Sequence, residues 1–259
     1  MKAKAIFQIL MDEAVQRRDP TCDGLIAGDE NKTVRKAGVC FKLTAALIEQ
    51  AAKEQIDMII AHEPTFSTGD TVDESNPVDR MKNDLLHKSG ITLYRFHDHA
   101  HTSEPDYIHA GFINALQLKI GKKHERASLG VCRYDLDEPL TTRELALRIH
   151  EKLGVSLIRI VGQDDYPLKT ICLGLGAVGL QQIRLLVESD CDLFVTGEVA
   201  EVCTAETVRD ACYFGLKKSL LILGHYSSEY IGMRLLADTL NQRIVPAVFL
   251  DSGEVYHGI

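Results

Sequence analysis

The apolar positions of the chain fall into short unbroken runs and longer helical stripes. Met58–Ala61, Leu93–Phe96, Leu193–Thr196 and Leu220–Leu223 are too short for helices and do not alternate with polar residues. Such runs predict strands buried on both faces, as in parallel sheets. Helical spacing follows Thr44, where Leu47, Ile48, Ala51 and Ala52 share a face, and recurs at Leu180, Ile183, Leu186 and Val187. Further helices are predicted over 79–89, 110–118, 205–214 and 228–240. Met1–Val15 reads as an amphipathic helix with Ile6, Phe7, Leu10 and Ala14 on one side. Thr141-x-x-Glu144 is a capping box, Gly154 stops the helix behind it, and Ser156–Val161 is rich in β-formers. Pro246–Leu250 with Glu254–His257 predicts a terminal hairpin.

The order of elements repeats. A strand at Lys36–Phe41, a helix and the run Asp57–Glu63 in the first half correspond to Lys169–Leu173, a helix and Asp192–Glu198 in the second, with the same Asp-to-Glu spacing. Each copy is a βαβ unit, which needs a right-handed crossover and parallel strands. The expected fold is α/β: two similar halves with mostly parallel sheets, at 1–126 and 127–259, plus a small central α/β segment. The C-terminal part is expected to pack back on the first half.

Composition narrows the function classes. With 259 residues, 45% hydrophobic and 25% charged, the chain can bury a substantial core. A net charge of −8 gives no electrostatic support to nucleic-acid or membrane-surface binding. Lys122-Lys123 and Lys217-Lys218 read as ordinary exposed pairs. No apolar stretch reaches the roughly 18 residues of a membrane span. Seven cysteines without a C-x-x-C pair read as reduced thiols and a cytoplasmic setting.

The candidate chemistry lies where predicted strands end. The first half has His62-Glu63 after one strand and His97, Asp98, His99 and His101 after another; the second has Glu198, then His225 and Glu229. Open α/β sheets bind ligands at such strand ends. His225 and Glu229, four apart, share one face of a helix starting near His225, with Glu229 in the turn where the dipole favours a carboxylate. A capped helix with a packed histidine fits the same pair. His62 and Glu63 reach one site only if the strand has given way to a loop, which Pro64 favours. His97, His99 and His101 share a face if they lie on a strand; a solvated His-rich loop is the alternative. Mixed His/carboxylate sets suit Zn, Fe, Mn or Ni. Gly174-Leu-Gly-Ala-Val-Gly179 follows a strand and opens a helix, the context of a dinucleotide fingerprint, with Glu198 near the position of a ribose-binding acid. The same βαβ recurs in the first half without the glycines, so a tight strand–helix turn needing small residues is the preferred reading.

Taken together these segments resemble the Nif-three-like dinuclear metal family, described as GTP cyclohydrolase type-two-like. Cys22–Gly28 resembles its W-D-N-x-G-L-x-x-G, Asp57–Pro64 its D-x-I-I-x-H-H-P, and Phe96–His101 stands at its A-H-T-N-L-D. Glu138–Ala146 resembles E-P-x-T-x-x-E-L-A, Asp192–Glu198 matches D-x-x-x-T-G-E, and Gly224–Glu229 matches G-H-x-x-x-E. The family's Gly-rich turn also accounts for Gly174–Gly179 without a dinucleotide. The resemblance implies that the two α/β halves are intertwined, and that one or two divalent ions per chain are held by His62, Glu63, His101, His225 and Glu229. Glu63 replaces a family His and His101 a family Asp, so three histidines and two carboxylates remain. His97, Asp98 and His99 are additional ligands or supports, and Glu198 is the candidate general base or orienting group. No residue is assigned to an organic cofactor. The function implied by the resemblance is that of a metal-dependent hydrolase-like protein, acting on a purine nucleotide and assembled as a homo-hexamer. A non-catalytic metal carrier or regulatory metal-binding protein is the alternative, and a dinucleotide-binding enzyme the lesser one.

Overall fold

The computed structural model describes residues 1–188 and 190–256, without the side chains of residues 181–184 and 188. It divides into two compact units: Met1–Tyr107 with Gly232–Gly253, and Ile108–Ile231 with Glu254 onward.

The first unit holds a five-stranded sheet. Its strands are β1 (Gly24–Ala27), β2 (Ala37–Cys40), β3 (Met58–Ala61), β4 (Thr92–Arg95) and β11 (Ala247–Phe249), in the order β1-β4-β3-β2-β11. Only β1 runs antiparallel, against β4. Every residue of β2 and β3 is buried, as their unbroken apolar runs require. Helix α1 (Ala3–Asp12) buries Ile6, Phe7 and Leu10, with Phe7 stacked on Tyr94 at 4.4 Å between ring centroids. Helix α2 (Ala45–Lys53) starts where the Thr44 hydroxyl accepts from Leu47 N–H; Leu47, Ile48 and Ala51 are buried, whereas Ala52 is exposed. Helix α3 (Pro77–Ser89) has Asn76 as its cap and left-handed Gly90 at its end.

The register places the site. Cys40 pairs with Ala61, and Ala61 with Arg95, so the loops after β2, β3 and β4 leave the sheet side by side. The expected terminal hairpin does not form. β11 instead joins β2 in parallel, Val248 opposite Gly38, which buries Leu250 against Gly38 and Ile56; His257 lies outside the described residues.

The second unit holds six strands: β5 (Ile120–Ser128), β6 (Val131–Leu140), β7 (Arg159–Gly162), β8 (Leu168–Gly174), β9 (Leu193–Thr196) and β10 (Ser219–Ile222), ordered β5-β6-β8-β9-β10-β7. The parallel trio β8, β9 and β10 is flanked by antiparallel partners. The central segment supplies two of these flanking strands and, between them, α6 (Thr142–Leu153), with the expected capping box at Thr141 and left-handed Gly154. Helices α7 (Gly179–Glu188) and α8 (Glu206–Tyr213) close one core around Phe194, Leu186, Val208 and Leu220. Of the predicted α7 face, Leu186 is buried and Leu180 is 52% exposed; the side chain of Ile183 lies outside the described residues. Gly174 pairs with Thr196, and Thr196 with Ile222, so three loops again emerge together. The shared Asp of the repeat has one job in both units: Asp57 Oδ2 accepts from Arg35 N–H and Asp192 Oδ2 from Lys169 N–H, each tying a strand's start to its neighbour. Lys218 is buried, its ammonium donating to Cys191 O, and so is no ordinary surface lysine.

Helix α5 (Tyr107–Leu116) opens at the unit boundary, and α9 (His225–Arg243) begins in the second unit and ends in the first. No helix among the described residues is long and apolar enough to cross a membrane. All seven cysteines are free thiols.

Candidate metal centre

In the first unit, β3 stops at Ala61, so His62 and Glu63 lie in the loop that the sequence pattern requires for them to serve one site. Glu63 N–H donates to Phe41 O at 2.8 Å. The turn behind it is held by Lys42, which donates to Pro64 O, and by Lys82, which donates to Thr65 O and Leu43 O. Burial, and next the charge of Lys42, push the Lys82 ammonium down to about 8.

The histidine-rich stretch is not a strand. Asp98–Thr102 forms a short helix, α4, because Asp23, whose side chain is fully buried, accepts from the N–H groups of His97, Asp98 and His99. Those are the orphan donors of a helix N-terminus, and a carboxylate is their natural partner. On a helix, His97 and His101 are neighbours and His99 turns away. The rings of His62, His97 and His101 accordingly cluster at 4.5, 5.2 and 5.1 Å between centroids. One ring nitrogen from each lies within 4.8 Å of the others. His99 is elsewhere: Nδ1 donates to Asp23 at 2.7 Å and Nε2 accepts from Arg18 N–H at 3.2 Å.

Each clustered imidazole has an orienting neighbour. His62 Nδ1 donates to Phe96 O at 3.0 Å and His97 Nδ1 to Asp98 at 2.9 Å, while Asp106 stands 3.9 Å from His101 Nδ1. For His62 and His97 these bonds fix the tautomer that leaves Nε2 for an ion. Glu63 Oε1 is 3.7 Å from His97 Nε2. Asp98 also accepts from Thr21 and Cys22, and its carboxyl is held well below the usual range, foremost by the His97 hydrogen bond. Burial above all pushes the Cys22 thiol up to about 12, so without an ion it remains a donor to Asp98.

In the second unit three turns interlock. Gly176 O accepts from the N–H groups of Gly197 and Glu198, and Gly176 N–H donates to Ser228 Oγ at 2.9 Å. Gly176 has φ +76°, and a Cβ there would stand 2.4 Å from Glu229 Oε1 and 3.0 Å from His225 Nε2. A Cβ on Gly197 would meet Gly176 O at 2.7 Å and His225 Cα at 2.9 Å. At Gly174 it would strike the Phe194 ring at 2.5 Å. The glycines of the G-x-G turn are therefore required by Phe194, His225 and Glu229, and no nucleotide is needed to explain them. His225 Nδ1 donates to Glu198 at 2.8 Å, and its Nε2 is 3.2 Å from Glu229 Oε2, with Glu229 only 2% exposed. That separation is the one an i,i+4 His–carboxylate ion pair adopts on a helix. A carboxylate behind the far ring nitrogen is the usual support of a metal-binding histidine.

The first unit thus presents His and carboxylate groups that could hold a metal, and the second a His225 flanked by Glu198 and Glu229, both on the strand-end loops that the apolar runs predict. Asp23, Gly176, Gly197 and Ser228 are the residues sequence reasoning passed over as functional. The spacing of the glycine turn carried a signal for Gly176, but a tertiary contact gives it meaning.

The sequence profile of Duf34/NIF3 (NGG1p interacting factor 3) matches residues 1–252. The chain belongs to the Duf34/NIF3 family. A Clostridium perfringens relative of this Duf34/NIF3 chain, called GTP cyclohydrolase 1 type 2 homolog, is 25% identical over 256 residues, covering 94% of this chain and 93% of its own. Among solved structures, protein ybgI superposes with a TM-score of 0.82 at 23% identity, covering 98% and 99% of the two chains. The Bacillus cereus protein related to NIF3 gives 0.78 at 14% identity, covering 100% and 99%. These superpositions establish the NIF3 fold for the two mixed sheets.

Proposed function

We propose that this Duf34/NIF3 chain is a metal-dependent, hydrolase-like protein whose substrate is a purine nucleotide opened by hydrolysis, as the name of its relatives suggests. The proposed ligands are His62, Glu63 and His101, with His97 added, from the first unit, and His225 and Glu229 from the second. They would hold one or two divalent ions. The observation that carries this reading is the imidazole cluster of buried His62 and His101 with half-buried His97, two of its rings held in a ligating tautomer by Phe96 O and Asp98. Neutral imidazole with carboxylate suits Zn, Fe, Mn or Ni.

When bound, such an ion supplies Lewis acidity and brings the deprotonation of water to about neutral pH. The chain's own part is positional. Phe96 O and Asp98 orient two rings, and Glu198 holds the Nδ1 proton of His225 so that Nε2 faces Glu229. In the hydrolase reading Glu198, 58% exposed at its side chain, also exchanges a proton with substrate. One observation favours the metal-carrier reading instead: the Glu198 carboxylate is already engaged by His225. Hydrolysis of a nucleotide panel, measured with the rate of metal release, decides between them. Turnover that is lost in Glu198→Gln at saturating metal supports a hydrolase; rapid metal exchange without turnover supports a carrier. The family resemblance further suggests a ring-shaped hexamer, for which light scattering should give six times the 28.8 kDa chain mass.

A further inference from the structure

A second group of ligand-type side chains lies in the first unit, and it includes a thiol. Gly24 of β1 pairs with Arg95 of β4 in antiparallel register, so the residues just ahead of β1 pass beside those just after β4. Asp23 fastens this crossing by accepting from the N–H groups of His97, Asp98 and His99. Cys22, next to it, is thereby held against His97 and Asp98. Its Sγ, one ring nitrogen of His97 and one oxygen of Asp98 all lie within 4.8 Å of one another. His97 belongs both to this group and to the imidazole cluster with His62 and His101.

The two Asp98 oxygens are used differently. Oδ2 accepts from the Thr21 hydroxyl at 3.0 Å and from Cys22 N–H at 3.4 Å, with Arg18 Nε 3.7 Å away. Oδ1 faces the other two members of the group, Cys22 Sγ at 3.5 Å and His97 Nδ1 at 2.9 Å. The thiol also reaches Asp23 Oδ1 at 3.7 Å. Among the described residues Cys22 is the one thiol that joins two other ligand-type side chains in such a group. It is also half-buried, whereas Cys40, Cys132, Cys172 and Cys191 are buried. Sulfur beside imidazole and carboxylate changes the metal preference: a thiolate favours soft and borderline ions, and oxygen ligands favour manganese.

We propose that Cys22 is a thiolate ligand of the metal in the first unit, sharing His97 with the imidazole cluster, and that it makes this site select thiophilic ions over manganese. The proposal rests on the metal-binding reading above. On ligation the S–H bond gives way to a sulfur–metal bond, and the proton leaves to solvent. Titration of the purified chain with cobalt(II), followed by absorption in the presence of a phosphine reductant, tests it. A near-ultraviolet sulfur-to-cobalt charge-transfer band should grow and saturate together with the visible d–d bands. In Cys22→Ser the visible bands should persist and the near-ultraviolet band be lost; in Cys203→Ser, which removes an exposed thiol outside the group, both should stay. Cadmium affinity should fall at least about tenfold in Cys22→Ser while manganese affinity stays within about twofold. Serine keeps a hydroxyl donor for Asp98, and the wild-type spectrum decides the matter even if the variant fails to fold. Visible bands in the wild type without the near-ultraviolet band, or a near-ultraviolet band undiminished in Cys22→Ser, would overturn the thiolate ligand and leave the metal-binding reading standing. Absence of every cobalt band in the wild type would overturn both.

Discussion

Gly176 and Gly179 both adopt left-handed backbone, at φ +76° and +72°, yet they should respond differently to the same substitution. An alanine at either position pays about 1–2 kcal/mol for its Cβ in that conformation. At Gly179 nothing among the described residues lies within 4 Å of the new atom, so that strain is the effect expected there. At Gly176 the Cβ would lie 2.4 Å from Glu229 Oε1 and 2.9 Å from its Cδ, so the entire buried carboxylate must move. Overpacking of this kind adds about 1–3 kcal/mol. Displacing a carboxylate that orients or ligates a metal lowers affinity about 10- to 100-fold. Urea unfolding should therefore show a loss of about 1–2 kcal/mol for Gly179→Ala and about 2–5 kcal/mol for Gly176→Ala. Zinc titration against a fluorescent chelator should show at least about a tenfold weakening in Gly176→Ala and less than about twofold in Gly179→Ala. Equal zinc affinity in the two variants would refute the cradle, because the glycine would then serve the backbone alone.

Asp23→Asn removes the charge that receives three helix N–H groups and His99 Nδ1, and should destabilise the chain by about 1.5–3 kcal/mol in urea while loosening α4 in amide exchange. Burial raises the Asp57 carboxyl, but the Arg35 hydrogen bonds outweigh it and its pKa lies below the ordinary value. Its contribution is therefore present above the unfolded value of about 3.9 and lost as pH falls through the lower folded value, so the stability gap between wild type and Asp57→Asn, about 1.5–3 kcal/mol at pH 7, should shrink on acidification. A gap that widens in acid would contradict that sign. Glu198→Gln keeps the size of the side chain but weakens the hold on His225 Nδ1, so zinc affinity should fall about tenfold with little change in unfolding free energy.

Much of the scaffold was legible because buried parallel strands leave unbroken apolar runs: Met58–Ala61 and Leu193–Thr196 are strands with every residue buried. The copies of Asp57 and Asp192 were visible as spacing, and their shared role of bracing the neighbouring strand emerged only with the hydrogen bonds. Local pattern misled in the His97–His101 stretch. Alternating histidines suggest a strand, but the partner that makes them a helix is Asp23, more than seventy residues earlier in the chain. The G-x-G turn carried a true signal with an ambiguous cause, since the atoms that exclude a Cβ at Gly176 come from Glu229 and His225.

The central claim is that the His and carboxylate groups of each unit, His62, His97 and His101 in the first and His225 and Glu229 in the second, serve to bind divalent metal. Elemental analysis by inductively coupled plasma mass spectrometry, on purified chain incubated with zinc and then desalted, tests it most directly. The account predicts one or two ions per chain, with occupancy lost in His62→Ala/His101→Ala and reduced in Glu229→Gln, while circular dichroism stays that of a folded protein. A folded wild-type chain that retains no metal, or variants that retain as much as wild type, would contradict it.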